Sequence, residues 1–331
     1  MTDKQGGIVP LKNIVQKFNA SITEVVIGTG DKAVSLGGEH VLPLYSFDGS
    51  IANPPRVGLE FTDSGPSELP LPELAGFYKG AESIADITKR ACEQSGADFI
   101  SLVLESADPN GTNKSVEDCT ALCKEAADAA AACAVPLPLV IQGCRNAEKD
   151  GKLFEKIAEA LQGKNVLLLS AREENYKTVA VAAVQAYGQK AGAESAVDIN
   201  LAKQLNVLIA QLGLQPGNTV MNLGSAAAGY GFEYVASTME RVKAAALAQN
   251  DAMLQIPVIT PVGSEAWAVK ESVVSEDDFP EWGPVEQRGI HMEITTAVAS
   301  IASGANAVIL RHPASVPVVK KFIAELTGGG S

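Results

Sequence analysis

At 331 residues, with 46% apolar side chains and a formal net charge of −13, the chain is long enough for one sizeable core and too acidic to favour nucleic acid or an anionic membrane. It holds no run of 18 apolar residues, and its opening MTDKQGGIVPLKN lacks the basic-then-apolar pattern of an export signal, so the expectation is a cytoplasmic protein. Cys92, Cys119, Cys123, Cys133 and Cys144 form no C-x-x-C pair; Cys119 and Cys123, one helical turn apart, read as packed thiols, and no metal-ligating set is assigned.

In chain order, EVVIGTG and AVSLGG flank the Gly30-Asp31 turn and predict a β-hairpin within an N-terminal extension, residues 1–55, covering the N-terminal end of the domain that begins at Arg56. From Arg56 onward, short Val/Ile/Leu runs alternate with amphipathic Ala-rich segments: VGLEFT, DFISLVLE, PLPLVIQ, NVLLLS, ESAVDIN, NTVMNL, IPVITPV and NAVILR. That alternation specifies an α/β fold, a (β/α)8 TIM barrel over residues 56–327, with 328–331 a flexible tail. Helices are expected at 83–94, 116–133, 152–161, 175–190, 201–212 and 233–248, where apolar positions recur near every 3.6 residues. Two connections are distinctive: the small-residue loop GSAAAGYGFEY after barrel strand six, and GSEAWAVKESVVSEDDFPEWGP after strand seven, before a helix starting at Pro284. Both lie at the carboxyl end of the strands, where barrels place their function.

Strand alternation puts Val57, Leu59 and Phe61 under helices and leaves Gly58, Glu60 and Thr62 facing the barrel axis. The same alternation puts Ser101, Glu105, Gln142, Ser170, Asp198, Asn222, Thr260 and Arg311 inward or at the upper rim. The mouth is therefore polar, suited to an amide-bearing or heterocyclic ligand. No glycine-rich phosphate cup follows strands seven and eight, where the chain reads VGSEAW and RHPAS. Arg311 is the cation among the carboxylates Glu60, Glu105 and Asp198, and an ion pair with Glu60 or Glu105 is predicted because an unpaired buried charge costs several kcal/mol. The alternative for Glu60 and Arg311 is a purely structural plug of the barrel.

His312, directly after Arg311, is the histidine at a functional strand end, and either touches a ligand or packs at a helix start. Tyr230 lies between Gly229 and Gly231, whose freedom lets the backbone approach a ligand that an aromatic plane could cover; the alternative is a turn with one rim aromatic. Trp267 and Trp282 flank the long acidic loop, where an exposed indole marks a protein contact and a buried one anchors the loop.

SADPNGTNKSVEDC, ENYKTVAVAAVQAYG, DINLAKQLNVLI, GYGFEYVASTMERV, PVGSEAWAVKES, PEWGPVEQRGI and ANAVILRHP, in this order and spacing, closely resemble the small subunit of the corrinoid iron-sulfur protein, the delta subunit of acetyl-CoA decarbonylase/synthase. The resemblance runs from about Val25 to the last helix. It implies a TIM barrel paired as a heterodimer with a large subunit that carries the 4Fe-4S cluster and most of the cobamide site. It further implies a methyl carrier in the anaerobic reductive acetyl-CoA pathway of carbon fixation. Such a carrier takes its methyl group from a methyltetrahydrofolate methyltransferase and passes it to acetyl-CoA synthase. This chain would help enclose the cobamide without being catalytic alone. The residues expected to bind the cofactor are Gln142, Ser170, Asn222, Ser225, Tyr230, Thr260 and His312; none is assigned as catalytic. The chain also has neither a D-x-H-x-x-G corrinoid motif nor a four-cysteine cluster motif, so both groups would need a companion chain. It departs from the family's pattern after strand six, where Ala226, Ala227 and Ala228 replace a glycine-richer loop.

Two other classes fit a barrel. A stand-alone pterin methyltransferase would use Asp108, Asp198, Asn200 and Asn222 to hold its pterin. A Schiff-base lyase would need a lysine at the mouth, whereas Lys164 opens strand four and Lys203 lies in a helix.

Overall fold

The computed structural model describes residues 14–65 and 71–328; the tail expected at 328–331 and the start of the extension fall largely outside the described residues. A short antiparallel pair, β1 (Val25–Ile27) and β2 (Val34–Leu36), precedes eight parallel strands. These are β3 (Arg56–Thr62), β4 (Phe99–Val103), β5 (Leu139–Gln142), β6 (Leu167–Ala171), β7 (Lys190–Glu194), β8 (Thr219–Asn222), β9 (Ile259–Pro261) and β10 (Ala307–Leu310). They pair in the order β8-β7-β6-β5-β4-β3-β10-β9, and a parallel bridge between Met221 and Val258 closes the cylinder.

The helices wrap the outside: α1 (Pro72–Phe77), α2 (Ile84–Gln94), α3 (Val116–Ala132), α4 (Ala147–Ala160), α5 (Tyr176–Thr178, continuing as a π-helix over Val179–Ala186), α6 (Ile199–Gln211) and α7 (Phe232–Ala248). The loop after β9 holds α8 (Val262–Ala266) and α9 (Lys270–Val273), and α10 (Val285–Ser303) and α11 (Ser315–Leu326) complete the ring. Side chains start several of these helices. Ser83 and Asp86 form a reciprocal capping box, and Ser115, Asn146 and Asp198 each accept a backbone N–H of the first turn.

Two apolar clusters divide the core. Val57, Leu59 and Phe61 face outward and join the larger one under the helices. Inside the cylinder, Phe99, Val140, Leu167, Leu169, Val220, Ile259, Ala307 and Ile309 pack against Val25, Ile27, Val34 and Leu36 of the hairpin. The hairpin thus stoppers the amino end of the barrel, where the two runs flanking the Gly30-Asp31 turn predict it. Burying each such aliphatic side chain contributes roughly 1.5–3 kcal/mol. Gly58 makes room for this packing, since a Cβ there would lie 2.2 Å from the Phe99 ring. Lys243 fastens the extension below: its buried Nζ lies 2.8 Å from Glu39 Oε1 and 2.7 Å from Asn306 Oδ1.

One strand differs from its sequence reading. The fifth barrel strand is Lys190–Glu194, KAGAE, not ESAVDIN, and the helix expected over 175–190 ends before it. The strand is poor in large apolar residues because Leu169 occupies the space inside it, 2.2 Å from where a Gly192 Cβ would sit. Asp198 accordingly leaves the mouth and caps α6, accepting from the backbone N–H of Asn200 and Leu201 at 2.8 and 3.1 Å.

Candidate functional site

Above the stoppered interior, the carboxyl ends of the strands surround a cavity of about 450 Å³. The inward positions that bury Phe99, Val140, Val220 and Ile309 lower down carry Ser101, Gln142, Asn222 and Arg311 two residues later. Glu60 stands likewise two residues above Gly58 and is 1% exposed.

The predicted ion pair joins Arg311 to Glu60. Arg311 Nε and Nη2 lie 3.0 and 2.9 Å from Glu60 Oε1, while Gln142 Nε2 donates to Glu60 Oε2 at 3.0 Å and to Ser101 Oγ at 3.0 Å. Burial alone would lower the Arg311 pKa, but Glu60 and Glu105 outweigh it and hold the guanidinium charged. Burial raises the Glu105 carboxyl on the cavity wall, with Arg311 opposing.

A second pair lies across the mouth. Arg172 Nε and Nη2 bind Glu194 Oε1 at 3.0 and 2.9 Å, and Arg172 Nη1 donates to the Arg145 carbonyl at 2.7 Å. Asn222 Nδ2 donates to Ser170 Oγ at 2.9 Å, and its Oδ1 accepts from Gly224 N–H at 3.1 Å. Ser170 joins the wall because the β6–β7 register shifts between Leu168 and Ala171, so that both Leu169 and Ser170 face the cavity. Arg145 and Glu265 form a looser, exposed pair at 3.5 Å.

Gln142, Ser170, Asn222 and Ser225, four of the seven residues expected to bind the cofactor, therefore come together on one wall. The other three do not line it. Thr260 faces the helices, because its strand neighbours Ile259 and Pro261 take the inward positions and its pairing partner Val308 belongs to the outer core. His312 is 1% exposed, with Nε2 3.0 Å from Glu286 Oε1 and its ring stacked at 5.8 Å on Trp267. Tyr230 is 48% exposed on the loop before α7, outside the cavity, and its hydroxyl donates to Glu271 Oε2 at 2.6 Å. Trp267 is buried and anchors its loop. Trp282 is half-buried and stacks on Phe279 at 4.3 Å.

Sequence reading missed Glu194, Arg172 and Arg145; the end of a correctly placed fifth strand would have marked Glu194. It also missed Glu293 on α10, fully buried behind Arg311. Glu293 Oε1 accepts from Arg311 N–H at 2.6 Å and Trp267 Nε1 at 3.1 Å, and Oε2 accepts from His312 N–H at 3.2 Å. Burial pushes its pKa up to about 7 despite these donors. Among the described residues, no group of three or more His, Cys, Asp or Glu is placed to hold a metal ion.

The family model of the CO dehydrogenase/acetyl-CoA synthase delta subunit matches residues 24–320. Among curated proteins, acetyl-CoA decarbonylase/synthase complex subunit delta of Methanocaldococcus jannaschii is 30% identical over 97% of this chain and 80% of its own length. Subunit delta 2 of Methanosarcina acetivorans is 32% identical over 95% and 71%. Among solved structures, dihydropteroate synthase of Burkholderia cenocepacia superposes with a TM-score of 0.53 at 11% identity, over 93% of this chain and 98% of its own. That of Yersinia pestis, bound to a pterine-sulfa conjugate, gives 0.52 at 12% identity, over 93% and 99%. At those identities the likeness is one of fold.

Proposed function

The chain belongs to the CO dehydrogenase/acetyl-CoA synthase delta subunit family, and from that membership we propose that it is the barrel subunit of a corrinoid methyl carrier. Its mouth would help to enclose a cobamide held mainly by a larger partner chain, which also carries the 4Fe-4S cluster. The methyl group would come from a methyltetrahydrofolate methyltransferase and go to acetyl-CoA synthase.

The observation that supports this reading is the chemistry of the wall. Gln142, Asn222, Ser170 and Ser225 converge on the cavity, and the Ser225 hydroxyl has no partner among the described residues. A corrin rim carries several carboxamide arms, and such neutral amides and hydroxyls can both give and accept hydrogen bonds with them. The cobamide, when bound, supplies the carriage of the methyl group. This chain's part is to hold the rim and exclude water. The Arg311–Glu60 and Arg172–Glu194 pairs stiffen the wall from which Gln142 and Asn222 act. Tyr230, outside the cavity, would meet the assembly from the partner's side.

The rival pterin methyltransferase loses two of its four residues, since Asp198 caps α6 and Asn200 lies in that helix, leaving Asp108 and Asn222 on the wall. Co-purification tests the proposal. The chain should isolate with a larger subunit, a corrinoid absorption band and iron, and Asn222→Ala or Gln142→Ala should lower corrinoid retention severalfold. Isolation alone with its own methyltetrahydrofolate turnover, or retention indifferent to both substitutions, would overturn it.

A further inference from the structure

Resting on that reading of the mouth, we propose that the cavity receives the hydrogen-bond-donor edge of its ligand, primary carboxamides or ring amino groups, and rejects phosphate and carboxylate groups. The polar atoms left uncommitted on the wall decide which edge of a ligand can face it.

The donors are largely committed. Arg311 gives Nε to Glu60 with Nη2 in ion-pair contact, and Arg172 gives Nε to Glu194, again with Nη2 in ion-pair contact, and Nη1 to the Arg145 carbonyl. The Asn222 amide is held at both ends by Ser170 and Gly224. Gln142 Nε2 is shared between Glu60 and Ser101, and this fixes the side chain's orientation, because an ionised carboxylate can only accept. Gln142 Oε1 is left on the wall without a donor among the described residues.

Acceptors are what remain. The Glu105 carboxylate has only the Thr62 side chain beside it as a donor, and Asp108 spends only Oδ1, on Asn110 of its own loop. The leftover donors are Arg311 Nη1, whose charge already faces Glu60 and Glu105, the loosely paired Arg145, and the hydroxyls of Ser225 and Ser170, the latter only accepting from Asn222. Carboxylates on the lining (Glu105, Asp108, Asp150, Glu194 and Glu265) outnumber the three guanidiniums. An entering anion would therefore meet like charge at short range, whereas a neutral –C(=O)NH2 or amino-heterocycle edge brings N–H groups to Gln142 Oε1 and Glu105.

That donor chemistry has two sources, the carboxamide arms of a corrin and the amino edge of a 2-amino-4-oxopteridine, and binding to the complex of this chain with its partner, freed of corrinoid, separates them. The probes are cobinamide, the same corrin with its arms hydrolysed to carboxylates, an aminopteridine, and inorganic phosphate. Cobinamide should bind at least tenfold more tightly than the carboxylate form, and millimolar phosphate should not compete. Glu105→Lys should erase the preference, and Glu105→Gln, which keeps an acceptor, should retain most of it. An aminopteridine bound instead, and weakened by Glu105→Lys, upholds the donor-edge assignment while moving it from corrin to heterocycle. Equal or tighter binding of the carboxylate corrin, competition by phosphate, or a preference that survives Glu105→Lys overturns the inference. Affinity indifferent to Asn222→Ala and Gln142→Ala sinks the functional reading itself, whereas affinity that depends on them without an amide preference sinks only this step.

Discussion

Glu293 ties the mouth together from behind, because one carboxyl group fixes the Trp267 indole and the backbone at Arg311 and His312 together. Its pKa is pushed up to about 7 by burial, from an ordinary value of 4.5, so folding favours its protonated form. This stabilisation is complete below about pH 4.5 and is lost as the pH rises through about 7, a loss on the order of 3 kcal/mol. Urea denaturation of wild type and Glu293→Gln across that window should show the extra slope in the wild type alone; equal slopes would mean that Glu293 titrates normally. The pair in front of it was legible in the sequence, since Glu60 and Arg311 occupy inward positions on neighbouring strands and a buried charge needs its opposite. Glu293 was not legible, because a carboxylate on a helix interior is ordinarily a solvated side chain, and only the fold turns it inward.

At the scale of elements, seven barrel strands and the hairpin could be read because large β-branched and aliphatic residues recur at the spacing the sheet needs. The fifth strand hid itself. KAGAE carries alanine and glycine where its neighbour β6 supplies the bulk, and the apolar π-helical run VAVAAVQA just before it extends a helical pattern almost into the strand. Thr260 went astray for a related reason: β9 is only three residues long, too short for alternation to declare its face. The hairpin's role is open to test, since Ile27 is fully buried within the cylinder. Ile27→Ala should destabilise the protein by about 2–5 kcal/mol, measured by chemical denaturation, through lost burial and the void left behind. A change under about 0.5 kcal/mol would show that the hairpin does not pack tightly in the cylinder.

For the whole molecule, the formal net charge is −13, and no described helix is long and apolar enough to cross a membrane. The cavity can be followed through Cys144, which lines it and is the one cysteine of five that is not buried. Its thiol is pushed up to about 12 by burial, with Asp150 Oδ1 3.2 Å away adding to the shift. Alkylation of the native protein should therefore modify Cys144 first, slowly at neutral pH and faster as the pH rises, and, on the proposed function, more slowly still with a corrinoid-loaded partner in place. Mass spectrometry that finds another cysteine labelled first, or labelling of Cys144 indifferent to the loaded partner, would contradict this picture of the mouth. The stopper formed by Val25, Ile27, Val34 and Leu36 closes the lower end of the cylinder as well as packing it. With its base sealed, the cylinder is a cul-de-sac: whatever enters must back out by the same doorway before a successor can take its place, so exchange is strictly sequential and its pace is set by whatever stands over the entrance.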